Sequence, residues 1–167
     1  MKNILLTVLS LMIISTGVYA EDYDRYYSLG GGNVNYDQTN YSDAKSVHIK
    51  LGLTQENGFG LELEHAITID PLTDNTTSAD VDVMTTAAYA TYRIMLNGEF
   101  NLKGRLGFLD HTLKTATTKS QYETKVSYGL QLDYEPIDNQ VVYLGYTVSD
   151  LGTNELIVIS AGMQFFF

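Results

Sequence analysis

The stretch Glu155 to Phe167 limits the possible folds of this chain more than any other. Its odd positions after Glu155 are all apolar (Ile157, Ile159, Ala161, Met163, Phe165, Phe167), and its even positions are mixed (Val158, Ser160, Gly162, Gln164, Phe166). A strand points successive side chains to opposite faces, so one face of this segment is greasy and the other is not. A soluble domain seldom ends flush on such a face. A closed barrel in a membrane can, because lipid rather than water meets the apolar side.

The same period of two recurs along the chain. Tyr23 to Val34 reads as a first strand with Gly30-Gly31-Gly32 in its middle, where glycine permits bending and close packing. Lys45 to Thr54 sets Val47, Ile49, Leu51 and Leu53 against Ser46, His48, Lys50, Gly52 and Thr54. Phe59 to Ile69 sets Phe59, Leu61, Leu63, Ile67 and Ile69 against Gly60, Glu62, Glu64, Ala66 and Thr68, with His65 interrupting the apolar side. Met84 to Leu96, Phe100 to Phe108, Tyr122 to Tyr134 and Gln140 to Val148 continue the pattern, and Glu155 to Phe167 is the eighth strand. Gln55-Glu56-Asn57-Gly58, Asn97-Gly98 and Glu135 to Asn139 read as short turns. Polar segments 35–43, 70–82 and 110–121 read as longer loops, and 149–154 as a modest one. Short and long connections therefore alternate around an even number of strands, each of about the 9–11 residues that a tilted membrane strand needs. The expected fold is all-β: an eight-stranded antiparallel up-and-down transmembrane β-barrel.

The first twenty residues read differently. Lys2 gives a positive start, Ile4 to Ile14 is apolar apart from Thr7 and Ser10, and Val18-Tyr19-Ala20 is a small-x-small cleavage site. We expect residues 1–20 to be a cleaved signal peptide and 21–167 to be one barrel domain. The apolar run is short for a helical span, and no later run is long enough for one. No cysteine follows the cleavage site, or occurs anywhere, so neither a lipid-anchored cysteine nor a disulfide or thiolate metal site is expected. A net charge of −10 argues against nucleic acid as a partner.

Taken together, these segments resemble the small eight-stranded outer-membrane barrels of the OmpX and OmpA transmembrane-domain type, within the outer-membrane β-barrel domain family. The most telling segments are Ala88-Tyr89-Ala90-Thr91-Tyr92-Arg93 and Lys103-Gly104-Arg105-Leu106-Gly107-Phe108, with the final strand ending in Phe. The resemblance implies an integral, multi-pass location in the bacterial outer membrane, in contact with membrane lipid and lipopolysaccharide. It also implies insertion by the outer-membrane assembly machinery, with Phe165 and Phe167 as the C-terminal assembly signal. It does not imply one activity.

The face opposite the apolar stripes carries Lys50, Glu62, Glu64, Arg93, Lys103, Arg105, Lys125 and Asp133. The interior of an eight-stranded barrel is just wide enough for side chains, and charges placed there need partners. We expect an ionic network in the lumen, with Glu62 and Glu64 facing Arg93 on the next strand and Lys103 or Arg105 on the one after. It can be read as a plug that fixes register or as a gated ion path, and the narrowness of the lumen favours the plug.

No cofactor motif is present: no helix signal or Lys-Ser/Thr pair follows the Gly30 to Gly32 triplet. His48, His65 and His111 sit at positions that do not converge, so no metal site is expected. Some lipid A-trimming barrels carry a His-x-Ser motif on the lipid face, but here His65 is followed by Ala66, Ile67 and Thr68. The chain is therefore expected not to be an enzyme. Asp37, Asp43, Asp70, Asp74, Asp80 and Asp82 make the loops acidic, which reads as a solvated rim more readily than as divalent-cation bridges to lipopolysaccharide. Three functions stay open. The first is a barrel serving envelope integrity or surface contact through its loops. The second is a narrow porin-like channel. The third is a secreted lipocalin-like barrel with its apolar face turned inward to a ligand.

Overall fold

The computed structural model describes residues 23–36, 42–74, 79–115, 121–150 and 155–167. Residues 1–20, the expected signal peptide, lie outside them. The strands are β1 (Tyr23–Tyr36), β2 (Ala44–Gln55), β3 (Phe59–Asp70), β4 (Leu72–Asp74), β5 (Ala79–Met95), β6 (Phe100–Thr115), β7 (Gln121–Ile137), β8 (Gln140–Asp150) and β9 (Glu155–Phe166). Each pairs antiparallel with its neighbours, and β1 pairs with β9, so the sheet closes on itself. The short β4 continues β3 beyond Pro71 and pairs with the start of β5. The barrel therefore has eight staves, which is the expected fold.

Alternation sets the two faces. Leu29, Ile49, Leu61, Leu106, Leu130 and Leu144 point outward and are exposed, Leu106 at 60%. Ser28, Lys50, Glu62, Lys103, Gln131 and Asp133 point inward and are buried. This orientation is opposite to what a soluble lipocalin-like barrel requires, and that reading fails on it.

The strands run further than composition suggests. Segment 70–82 was expected to be a loop, yet it contains β4 and the start of β5. Segment 110–121 was also expected to be a loop, yet β6 runs through it to Thr115 and β7 begins at Gln121. Aspartate and threonine disguised both, because in these stretches the outward positions face water. There the faces exchange character: Val34, Ala44, Leu72, Val81, Val83 and Leu156 point inward and form one buried cluster, with Tyr36 and Val158 packed against it. Outward neighbours at this level include polar pairs, with Lys45 near Asp70 (3.9 Å) and Asn35 Nδ2 donating to Asp43 (2.7 Å). The irregularity at Pro71 lies within this transition. Residues 68–71 face only two residues of β5, and the Val83 N–H donates to Thr68 Oγ1 (3.0 Å) instead of to a ladder carbonyl.

The opposite end is closed by short turns. The Gly58 N–H donates to the Gln55 carbonyl (2.9 Å), and Gly58 has φ +90°, a conformation that glycine adopts without strain. The turn after β5 is tied by the Asn97 side chain, which accepts from the N–H groups of Glu99 and Phe100. The turn expected over Glu135 to Asn139 is tighter than that. Ile137 pairs with Gln140 across Asp138 and Asn139, and Asn139 takes φ 66°.

Candidate functional site

Among the described residues, the lumen is where the predicted polar side chains can act together. Its middle layer is built on Glu62. Glu62 Oε2 accepts from Lys103 Nζ (2.9 Å) and from the Tyr26 hydroxyl (2.7 Å). Glu62 Oε1 has Arg105 Nη1 at 3.0 Å, an ion pair without hydrogen-bond alignment. The Arg105 guanidinium also pairs with Glu64 and lies over the Tyr89 ring, 3.8 Å from its centre. Lys50 Nζ donates to Gln131 Oε1 (3.0 Å) and sits over the Tyr143 ring (4.1 Å), and Gln131 Nε2 donates to Asp133 (2.6 Å). One glutamine thus bridges an ammonium and a carboxylate. Lys50, Glu62, Lys103 and Asp133 are each at most 2% exposed.

Backbone glycines make room for this layer. A Cβ at Gly52 would lie 2.2 Å from the Tyr26 ring, and one at Gly30 would lie 2.1 Å from the Tyr143 hydroxyl. The two tyrosines fit inside the wall because those positions carry no side chain.

Arg93 departs from expectation. It pairs with Glu135 (3.0 Å) and lies over the Phe166 ring (5.5 Å), and it does not reach Glu62 or Glu64. Register is the cause: Glu62 stands opposite Tyr89, whereas the Arg93 N–H bonds to the Gly58 carbonyl. Four residues along a strand are about 13 Å. Glu135, which the sequence places in a turn, is therefore a partner that periodicity could not reveal. Lys125 lies higher on β7, half-buried on the inner side, away from the Glu62 layer.

Above that layer, Ser46 Oγ lies 2.7 Å from His48 Nε2, and His48 Nδ1 lies 3.0 Å from Glu64 Oε1. This Ser–His–Glu chain has the connectivity of a charge relay. It faces a cavity of about 20 Å³, lined also by Tyr89, Thr147 and Ser149 and roofed by Val34, Val83 and Leu156. That volume holds about one water molecule and no substrate. His65 is on the outer face, 3.0 Å from Thr86 Oγ1, and His111 is buried on β6. Among the described residues, no group of three or more His, Asp or Glu is placed to hold a metal ion. Asp43, Asp70, Asp80 and Asp82 are exposed at the rim, while Asp37 and the side chain of Asp74 lie outside the described residues.

At the chain end, Phe165 stacks on Tyr27 (5.2 Å), and Phe167 lies tilted against the same ring (6.2 Å) with its N–H on the Arg25 carbonyl (2.9 Å). Phe59 with Tyr92 and Phe100 with Tyr134 form further aromatic pairs near the short-turn end. A ring of aromatics at one edge of an apolar band is what a membrane interface selects.

An apolar outside, a charged and filled inside and a closed eight-stave wall define an integral outer-membrane β-barrel. The chain belongs to the outer membrane protein beta-barrel domain family, whose sequence model matches residues 6–165. It is located in the outer membrane, in contact with lipid. Among solved structures it is similar to Ail of Yersinia pestis, crystallised with the heparin analogue sucrose octasulfate: TM-score 0.61 and 19% identity, covering 87% of this chain and 98% of Ail. The N-terminal β-barrel domain of Pseudomonas aeruginosa OprF gives 0.65 and 16%, covering 87% and 98%. Neisserial surface protein A gives 0.61 and 15%, covering 86% and 97%. At these identities the likeness is one of fold. No curated protein matches the sequence.

Proposed function

We propose that this protein is a sealed, non-enzymatic barrel that contributes to envelope integrity or surface contact through its extracellular strand ends, and that its lumen network is a structural plug. The observation that carries this reading is the filling of the lumen. Glu62 ties β1, β3 and β6 together through Tyr26, Lys103 and Arg105, and an apolar cluster lies over the whole layer. A conducting path needs hydrated space, and the cavity between these layers is only about 20 Å³. The same lack of space speaks against catalysis by Ser46 and His48.

On this reading residues 1–20 are a leader removed on export, and Phe165 and Phe167 address the chain to the assembly machinery. Lipopolysaccharide is the natural neighbour of the outer rim. A polysulfated ligand such as the one bound to Ail suits this rim poorly, because Asp43, Asp70, Asp80 and Asp82 are exposed there.

Recording from the purified, refolded chain in planar lipid bilayers tests the proposal. The expected record is silent. Reproducible single-channel steps that change with Lys103→Met would establish the porin-like alternative instead.

A further inference from the structure

His48 is a buried titratable group to which the plug gives no role. It is 2% exposed on the inner face of β2, between the Glu62 layer and the apolar cluster above it. Few strands bring a charged or titratable group near it. Glu64 on β3 touches it, Tyr89 on β5 lines the same cavity, Arg105 on β6 reaches it through Glu64, and Lys50 lies two residues further along its own strand. From β1, β8 and β9 the cavity is lined by Val34, Thr147, Ser149, Leu156 and Val158, none of them titratable.

The hydrogen bonds around the ring fix which atoms carry protons. Glu64 Oε1, 3.0 Å from Nδ1, belongs to a carboxylate paired with Arg105 and can only accept. Nδ1 therefore holds a hydrogen whatever the charge on the ring. The other nitrogen faces Ser46 Oγ at 2.7 Å, and that hydroxyl also lies 3.3 Å from the Gly32 carbonyl oxygen. Ser46 has one hydrogen for these two acceptors. Beside a neutral His48 it donates to Nε2. Once Nε2 carries a proton, Nε2 donates to Ser46 Oγ and the hydroxyl turns to Gly32. In both states each ring nitrogen has a partner on the same heavy-atom positions, and the states differ by one hydroxyl rotation.

We infer that His48 is a proton-binding site built into the lumen, through which the charged layers take up one positive charge in acid without coming apart. Lys50, Lys103 and Arg105 are matched in number by Glu62, Glu64 and Asp133, so the added proton takes these layers from balanced to positive. It also turns a neutral contact into an ion pair. Glu64 then holds Arg105 on one oxygen and an imidazolium on the other, and charge-assisted bonds join the upper layer to the middle one. This holds whether or not the lumen conducts.

The test is heteronuclear NMR of the purified, refolded chain in lipid nanodiscs, with the histidine rings isotopically labelled. His48 is assigned by the through-space contacts of its ring protons with Ser46, so the unaltered protein suffices. As the pH is lowered, Nδ1 should stay protonated throughout and Nε2 should gain its proton, while the unboiled gel band of the folded barrel persists. Ser46→Ala removes the acceptor for that proton, and the same uptake should then need about tenfold more acid. A ring that stays singly protonated until the folded band is lost overturns the assignment, as does a bare Nδ1 at any point of the titration. So does a Ser46→Ala protein that titrates like the unaltered one.

Discussion

Glu62 is the residue on which the lumen depends. Its carboxylate compensates Lys103 and shares Arg105 with Glu64, all out of water. Glu62→Gln removes one charge and leaves Lys103 buried without its anion, so unfolding in urea should become easier by about 3–5 kcal/mol. Replacing Glu62 and Lys103 together by Met should cost much less, because no charge is then left alone. Both are read from the urea midpoint of the SDS-resistant band. Gly52 makes a second prediction at this scale. A methyl group there meets the Tyr26 ring, so Gly52→Ala should lose about 1–3 kcal/mol. Pairing it with Tyr26→Ser should recover part of the loss. A simple loss of strand glycine, with no clash, would instead leave Gly52→Ala neutral or stabilised.

At the scale of the strands, the exchange of faces toward the end opposite the short turns is what differs most from a uniform membrane wall. Leu72 sits in the apolar cluster there, at 1% exposure. Leu72→Asp would bury a carboxylate without a partner and should open that end to added protease. The membrane-embedded part should keep its resistance to SDS, and Asn33→Asp, on the exposed outer side, should change neither. The limits of sequence reading also lie here. Strands in the belt were legible because apolar and polar residues alternate strictly. The extensions were not, since Asp80-Val81-Asp82-Val83 alternates just as well but its aspartates read as loop. Inward charge was legible from the same parity. Pairing was not, because Lys50 and Gln131 approach across the barrel from β2 and β7, and nothing local to either strand encodes that approach. The partner of Arg93 was hidden for a related reason: register, not spacing, lowers it to the level of Glu135.

For the whole molecule, closure of the sheet predicts an all-or-none response to denaturant. Every stave has two partners, so no free edge remains within the belt from which unzipping could start. In membranes from expressing cells the protein should fractionate with the outer membrane. Its gel band should shift between unboiled and boiled samples in a single step, with no intermediate mobility. A gradual shift with temperature would mean that the staves separate independently.

The Glu62 contacts also bear on the order in which the barrel is built. Glu62 arrives on β3, but Lys103 and Arg105 belong to β6, 41 and 43 residues later in the chain. A wall that entered hydrocarbon one hairpin at a time would carry Glu62 without either of its ion-pair partners, Lys103 and Arg105, until β6 joined it. Such an intermediate is costly, so the strands through β6 must enter as one sheet or be sheltered until then. On the plug reading, the network that would close the finished lumen would also act earlier as a checkpoint on insertion, and a chain stopped before Lys103 should not enter the bilayer.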